Sequence, residues 1–216
     1  MKNKKGKTQK QSAYEKIKNY ILSSGIKPGS PLDEQSLTAV TGTSRTPVRE
    51  ALQKLELEGL VEIIPKKGAF ITHISLQDII ELFQLREIVE GLATRLAANR
   101  VSLTKLDEIN ELFIQAKEEK DPVKKIEMHM KSNDILHDYI LKTCGNSRLL
   151  KLDSSYHNLI KLEINLTNSI KGIVEKSHEE HLDIIEALKS GNPELAEKAM
   201  RRHIVSVFNN IMEVIQ

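Results

Sequence analysis

Two arginines four residues apart, Arg45 and Arg49, and a set of histidines at helical spacing are the side chains best suited to chemistry in this sequence. Arginine presents a rigid fork of donors that matches the two major-groove acceptors of guanine. At a separation of four, both side chains leave one helix face about one turn apart, so both can enter the same groove. Imidazole, when neutral, ligates metal ions. Asn133 and His137 share a helix face by the same spacing. His181 and His203 lie on either side of the turn Gly191-Asn192-Pro193, ten residues before Gly191 and eleven after Asn192. At about 1.5 Å rise per residue, both stand roughly 15 Å from the turn, which brings them level across an antiparallel helix pair. The two spacings converge on Asn133, His137, His181 and His203 as a site for a divalent ion, with zinc or nickel expected among the metals that imidazole suits. The same spacings also suit histidines hydrogen-bonded within a helical core. Asp138 and Glu180 neighbour these positions but turn away from them by about 100° each. His129, His157 and His178 are expected to be exposed or to stand behind the ligands.

The arginines need a helix start to carry them. Tyr14, Ile17, Ile21 and Leu22 recur at helical spacing up to Gly25, and Lys27-Pro28-Gly29-Ser30-Pro31 reads as a turn. A short helix fits Glu34 to Thr41, with Leu37 and Val40 facing inward and Gly42 ending it. A third helix follows from Ser44-Arg45-Thr46-Pro47, where Ser44 or Thr46 can cap the first free amides and Pro47 is tolerated in the first turn. It buries Val48, Ala51, Leu52 and Leu55 and directs Arg45, Thr46 and Arg49 elsewhere. The runs Val61 to Ile64 and Ala69 to Thr72, joined by Pro65-Lys66-Lys67-Gly68, read as a hairpin. Three helices and a basic-tipped hairpin make a winged helix-turn-helix over residues 11–74. In that arrangement the third helix meets base edges and the wing, with Lys67 at its tip, meets phosphate.

From residue 75 on, helical periodicity runs through 76–100, 103–119, 122–143, 147–170, 172–190 and 193–215. The fold class is therefore mostly α: an N-terminal winged helix-turn-helix, then an all-α antiparallel six-helix bundle over 75–216. Arg86 lies on a largely apolar stripe with Ile79, Phe83 and Ala93. A buried arginine needs an anion, and both the carboxylate of a bound effector and an internal glutamate are open as that partner.

Composition limits the remaining classes. Residues 1–74 hold eleven lysines and two arginines against seven acidic residues, a net +6, whereas the remainder carries −4. Only the first part is suited to a polyanion, and residues 1–10 read as a basic disordered tail. Aromatics make up 4% with no Trp, so base stacking is not the mode of contact. No apolar run approaches the roughly 20 residues that cross a bilayer, which argues against a membrane partner. The basic start is not followed by an apolar stretch, so no secretory signal is read, and Cys144 alone can form no internal disulfide. Both fit the cytoplasm. Two recognition helices meeting half-sites one DNA turn apart require a two-fold homodimer on double-stranded operator DNA. The alternative, a helical metalloenzyme fused to a DNA-binding module, would need an open metal position and a general base. No HExxH, CxxC or nucleophile-elbow pattern is present, so no enzyme activity is expected.

The run Leu37, Ser44-Arg45-Thr46-Pro47-Val48-Arg49-Glu50-Ala51-Leu52, Glu58-Gly59-Leu60-Val61 and Gly68-Ala69-Phe70 resembles the GntR family of bacterial regulators. The resemblance implies operator contacts at Arg45, Thr46 and Arg49, and a wing glycine, Gly68, at the DNA backbone. Many members have Arg where this chain has Gln35, which implies a weakened or replaced contact there. Leu85-Arg86-Glu87, Leu136-His137, Cys144-Gly145-Asn146, Glu180-His181 and Arg202-His203 resemble the markers of the FadR-like branch with its FCD effector domain, in the shorter, six-helix VanR-like form. That resemblance implies a repressor or activator controlled by a small carboxylate effector, with repressor expected. It also implies a divalent metal held by one Asp and three His at the positions of Asn133, His137, His181 and His203. Here an amide stands where the carboxylate would be, with Asp134 one place off.

Overall fold

The computed structural model describes residues 9–23, 26–153, 156, 159 and 173–215. Described residues through Ile79, with Tyr156 and Leu159, form one compact unit, and the others from Ile80 on form a second. Residues 1–8 of the expected tail, the expected stop at Gly25, most of the expected 147–170 helix and His157 lie outside the described residues.

In the first unit, α1 (Gln9–Ser23) buries Ala13, Ile17 and Ile21, a stripe at intervals of four. It begins within the stretch expected to be a disordered tail. Helix α2 (Glu34–Thr41) is capped by Asp33, whose side chain accepts from the Ser36 amide at 2.7 Å, a bond worth about 1 kcal/mol. Gly42 stops it at φ 66°, where its amide donates back to the Thr38 carbonyl. Helix α3 (Arg45–Leu57) packs on α1 through Val48, Ala51, Leu52 and Leu55. Strands β1 (Pro31–Leu32), β2 (Val61–Ile64) and β3 (Gly68–Ile71) form an antiparallel sheet in the order β1-β3-β2, with Ile64 opposite Gly68 at the wing tip. Leu32, Leu60, Val61, Ala69 and Ile71 close the core over the helices.

Three readings are corrected here. Val40 is 40% exposed, because the buried stripe of α2 runs from Leu37 to Thr41, four residues on, and leaves Val40 beside it. The hairpin's second strand starts at Gly68 and ends at Ile71, one residue earlier than read. The end of the supposed turn at 27–31 contributes β1, since Gly29 donates to the Ile71 carbonyl and Ile71 to that of Ser30.

The second unit is helical among its described residues. Helix α4 (Leu76–Ala97) begins in the first unit and continues into the second. It ends three residues short of the expected 100, with the Arg100 and Val101 amides donating to Ala97. Then follow α5 (Leu103–Glu118), α6 (Pro122–Thr143), a helical run at 147–153 (α7), α8 (Ile173–Lys189) and α9 (Pro193–Ile215). Ser102 caps α5, and Asp121 caps α6 by accepting from the amides of Val123 and Lys124, with Pro122 in the first helical position. Helix α5 packs on α6 and α8, and α8 on α9. The apolar core draws on Phe113, Ile109, Leu136, Ile140, Ile184, Leu188, Met200 and Ile204. Among the described residues, no helix is long and apolar enough to cross a membrane.

After α6, Gly145 takes φ 72°, and Arg100 Nη1 donates to the Cys144 carbonyl at 2.7 Å. A Cβ at Gly145 would lie 1.7 Å from that nitrogen. Gly145→Ala is therefore expected to lower stability by about 1–3 kcal/mol, through backbone strain and loss of this bond. Gly42→Ala, with open space around its Cβ, should cost only the strain, about 1 kcal/mol. Urea melts of the two variants compare them, and an unshifted midpoint for Gly145→Ala would remove this reading of the α6 end.

Candidate metal centre and candidate nucleic-acid interface

Helices α6, α8 and α9 bring His137, His181 and His203 together in the interior of the second unit. One nitrogen from each lies within 4.8 Å of the others, close enough to hold a single ion. Asn133 joins them: its Oδ1 is 3.0 Å from His181 Nε2, which is 3.4 Å from His137 Nε2. The His181 and His203 rings are 4.3 Å apart between centroids, so the two helices do run level about their turn. The structure thus places all four residues named from spacing in one cluster.

What the spacing did not give is the layer that orients the rings. His137 Nδ1 donates to Glu90 Oε2, and His203 Nδ1 donates to Glu180 Oε2 at 3.0 Å. A carboxylate only accepts, so Nδ1 of each ring carries a proton toward its glutamate and Nε2 is the nitrogen left to face the cluster. His181 takes the other tautomer: its Nε2–H donates to Asn133 Oδ1, and the Ser177 hydroxyl lies 3.4 Å from its Nδ1. His129 Nε2 is 3.3 Å from the same hydroxyl, and Phe113 stacks on His181 with ring centroids 4.8 Å apart. His129 stands behind the cluster, one of its two expected placements. His178 is buried against Phe113 rather than exposed. Glu180 does turn away from His181, and that direction aims it at His203 across the helix pair.

Burial sets the charges. It pushes His181 well below its ordinary pKa, helped by the neighbouring His203 and His137. It pushes His203 down to about 4, against the Glu180 hydrogen bond, which pulls the other way. For Glu90, burial opposes ionisation, but Arg86 and His137 outweigh it and hold the carboxyl below its usual range. Arg86, on the preceding turn of α4, donates from Nε to Glu90 Oε1, so the internal glutamate is one real partner. Its Nη1 is buried with no hydrogen-bond partner among the described residues. Glu90 was legible only as an i,i+4 companion of Arg86.

These residues fit a divalent ion: three imidazoles fixed from behind by Glu90, Ser177 and Glu180, and one amide oxygen.

In the first unit, Ser44, Arg45, Thr46 and Arg49 are all exposed at the start of α3, and Gln35 is exposed on the first turn of α2. Ser44 is the N-cap residue but makes no side-chain cap bond, and Thr46 lies inside the helix. Arg49 donates from Nε to both Glu34 oxygens at 2.9 and 3.0 Å, and no periodicity signals this pair, which spans fifteen residues. Asp33, held below its usual pKa mainly by Ser36, also feels the charge of Arg45. Lys67 and Gly68 are exposed at the wing tip, where Gly68 takes φ 109° and Lys66 the left-handed φ 66°. A turn bond from the Lys67 amide to the Ile64 carbonyl closes the tip.

Family profiles match both halves of the chain. The family profile described as "Bacterial regulatory proteins, gntR family" matches residues 9–71, and that of the FCD domain matches residues 81–206. The chain is 29% identical to the "Probable D-xylose utilization operon transcriptional repressor" of Paenarthrobacter nicotinovorans, over 82% of this chain and 77% of the relative. It is 27% identical to an "Uncharacterized HTH-type transcriptional regulator in unstable DNA locus" of Streptomyces ambofaciens, over 97% and 87%. Among solved structures, E. coli McbR/YncC superposes with a TM-score of 0.83, covering 97% of this chain and 100% of that one at 19% identity, which bears on the fold alone.

The depressed histidines make acid stability a direct readout of the buried cluster. The unfolded chain protonates His181 and His203 near the ordinary value of about 6.5, and the folded chain resists until far lower pH. Their contribution is complete above about pH 6.5 and is lost as pH falls toward 4. The melting temperature of metal-free protein is expected to fall between pH 7 and pH 5, and less steeply in His203→Gln. A flat profile over that interval would show that these rings are not buried in the neutral form.

Proposed function

The chain belongs to the gntR family of bacterial regulatory proteins and carries an FCD domain, and from that premise we propose that it is a cytoplasmic, homodimeric repressor whose grip on operator DNA is set by a small carboxylate bound beside a divalent metal. As a transcriptional regulator it needs no reaction of its own, and we read it as non-catalytic. The name of the Paenarthrobacter nicotinovorans relative, a repressor, supports the direction of control. Residues 11–74 are assigned to DNA and 75–216 to effector binding and dimerisation.

The observation that carries the sensing half is Arg86. Its buried guanidinium has one nitrogen without a hydrogen-bond partner among the described residues, on a side chain that shares Glu90 with His137. Leaving a charged donor unsatisfied costs more than the bond it lacks is worth, and a carboxylate oxygen is the acceptor that satisfies it. His137, His181, His203 and Asn133 would hold the metal, zinc or nickel by their donor set. When bound, that ion supplies a positive centre for a second carboxylate oxygen. The chain's own residues do the rest: Glu90 and Glu180 keep two Nε2 lone pairs facing inward, Phe113 shields His181 from water, and Arg86 sets which end of the effector enters.

For the DNA half, Arg45 and Arg49 read bases from the exposed start of α3, with Ser44, Thr46 and Gln35 beside them and Lys67 and Gly68 on the backbone. Arg45→Ala and Arg49→Ala are each expected to cost about 1–3 kcal/mol of specific binding. Lys67→Ala should weaken specific and non-specific duplexes alike and lower the salt dependence by about one counterion. Titrations at several salt concentrations measure both. Unchanged affinity in the two Arg variants would sink the α3 assignment.

The metal has its own test, by native mass spectrometry of the whole chain, which reports bound ion and subunit number together. His137→Ala, His181→Ala and His203→Ala should each remove the ion or strongly weaken it. Asn133→Asp should tighten binding, because it restores an anionic oxygen at the same reach. A wild-type chain that binds none of zinc, nickel and manganese would leave only a core of hydrogen-bonded histidines, and a monomer would refute the two-fold arrangement.

A further inference from the structure

Arg49 is not a free side chain waiting in solvent. Its Nε donates to both oxygens of Glu34, the first residue of α2, and its two terminal nitrogens have no partner among the described residues. The side chain of Arg49 is 64% exposed and that of Glu34 34%, so the pair stands at the surface with the guanidinium outermost. Guanidinium can approach guanine in two ways, through the Nε–Nη edge or through the two terminal nitrogens. With Nε engaged by Glu34, only the second remains. The carboxylate therefore does two things at once: it fixes the rotamer of a long, flexible side chain, and it chooses which edge of the fork faces outward.

A carboxylate at a DNA surface also has an electrostatic effect. It repels phosphate, and that repulsion is offset only where Arg49 finds its proper acceptors. On a duplex with the wrong base, Glu34 keeps Arg49 from swinging to the nearest phosphate and the charge of Glu34 still opposes binding. Asp33, which caps α2 just before Glu34, lies within the electrostatic reach of Arg45. Arg49 is thus paired with the first residue of α2, and Arg45 feels the carboxylate that caps that helix.

We propose that Glu34 is a positioning and specificity-determining residue for DNA reading, holding Arg49 end-on toward a guanine and penalising duplexes that lack one. The proposal rests on α3 being the recognition helix. It concerns discrimination between base pairs rather than total affinity, which separates it from a merely structural ion pair. An exposed pair of this kind contributes little to folding, so its variants keep the fold.

The experiment uses the full-length chain and a duplex selected by it from a randomised library. Affinities are measured for that duplex, for each of its single base-pair substitutions and for an unrelated duplex, with wild type, Glu34→Gln, Glu34→Asp, Arg49→Ala and the double variant Glu34→Gln/Arg49→Ala. Arg49→Ala should lose discrimination at one base pair of each half-site, by about tenfold. Glu34→Gln should lose several-fold at that same base pair while binding the unrelated duplex a few-fold more tightly. Glu34→Asp keeps the charge but not the reach, so it should lose the discrimination without the gain in non-specific binding. The double variant should discriminate no worse than Arg49→Ala. Full discrimination in Glu34→Gln at the pair that Arg49→Ala affects would overturn the proposal and leave the recognition helix standing, and so would an equal loss at every position. If Arg49→Ala changes no base pair, the recognition reading falls and this proposal with it.

Discussion

Helix α4 carries a guanidinium and a carboxylate, Arg86 and Glu90, one turn apart and both buried. Neither charge could be left alone there, since removing one partner of a buried pair typically costs about 3–5 kcal/mol. Pairing them satisfies one oxygen of Glu90 and one nitrogen of Arg86, and each group still has capacity to fill. Glu90 spends its second oxygen on His137, which fixes that ring's tautomer and direction. From His137 the constraint passes to His181 and Asn133, and across to His203 and Glu180. Four helices must therefore keep their relative register to within a hydrogen bond, a requirement that the apolar contacts of Phe113, Leu136 and Ile184 could meet in several ways. The polar chain makes one of those ways the right one. Nη1 of Arg86 is left buried at the start of this chain of bonds with no hydrogen-bond partner among the described residues.

The first unit solves the opposite problem. Its polar residues must stay outside and in a fixed attitude, so a small apolar core does the fixing. Val48, Ala51, Leu52 and Leu55 seat α3 on α1, and the fourfold spacing that buries them leaves Arg45 and Arg49 on the outside one turn apart. Tyr14 joins the far end of α3 to α1 by donating to Glu58, which shifts its hydroxyl pKa upward through burial and the nearby carboxylate. The wing is held by backbone pairing with β1 and by the core positions Ala69 and Ile71. Its basic tip needs no partner from the protein.

Much of this was readable because it depends on period and punctuation. Gly42 and Gly191 end helices where the sequence says they should, and counting from the turn at 191–193 places His181 and His203 opposite each other without any knowledge of packing. The helix face shared by Asn133 and His137 needed only the number four. What was not readable depends on which elements face one another. Glu180 was correctly turned away from His181, yet its use appears only once α9 lies beside α8. Ser177, His129 and Glu34 act on residues 4, 48 and 15 positions away, and only the first of those separations has a local signature. Val40 shows the limit of pattern in a two-turn helix, where an apolar residue beside the stripe looks like one within it. A two-residue strand such as β1 has too few positions to show any alternation at all.

Proton balance follows from the same burial. Most histidine sites for metals surrender protons as they load, so their occupancy drifts with acidity over the range in which cells operate. His203 has already been emptied of its proton down to about pH 4, and His181 well below its ordinary value, by the dry interior that also keeps them in place. An ion held there would need the His181 hydrogen on Nδ1, toward the Ser177 hydroxyl, with Nε2 left to the ion. That would be a rearrangement within the molecule, with no proton handed to the buffer from His181 or His203. Loading of such a site would therefore change little at these two rings with modest swings in acidity.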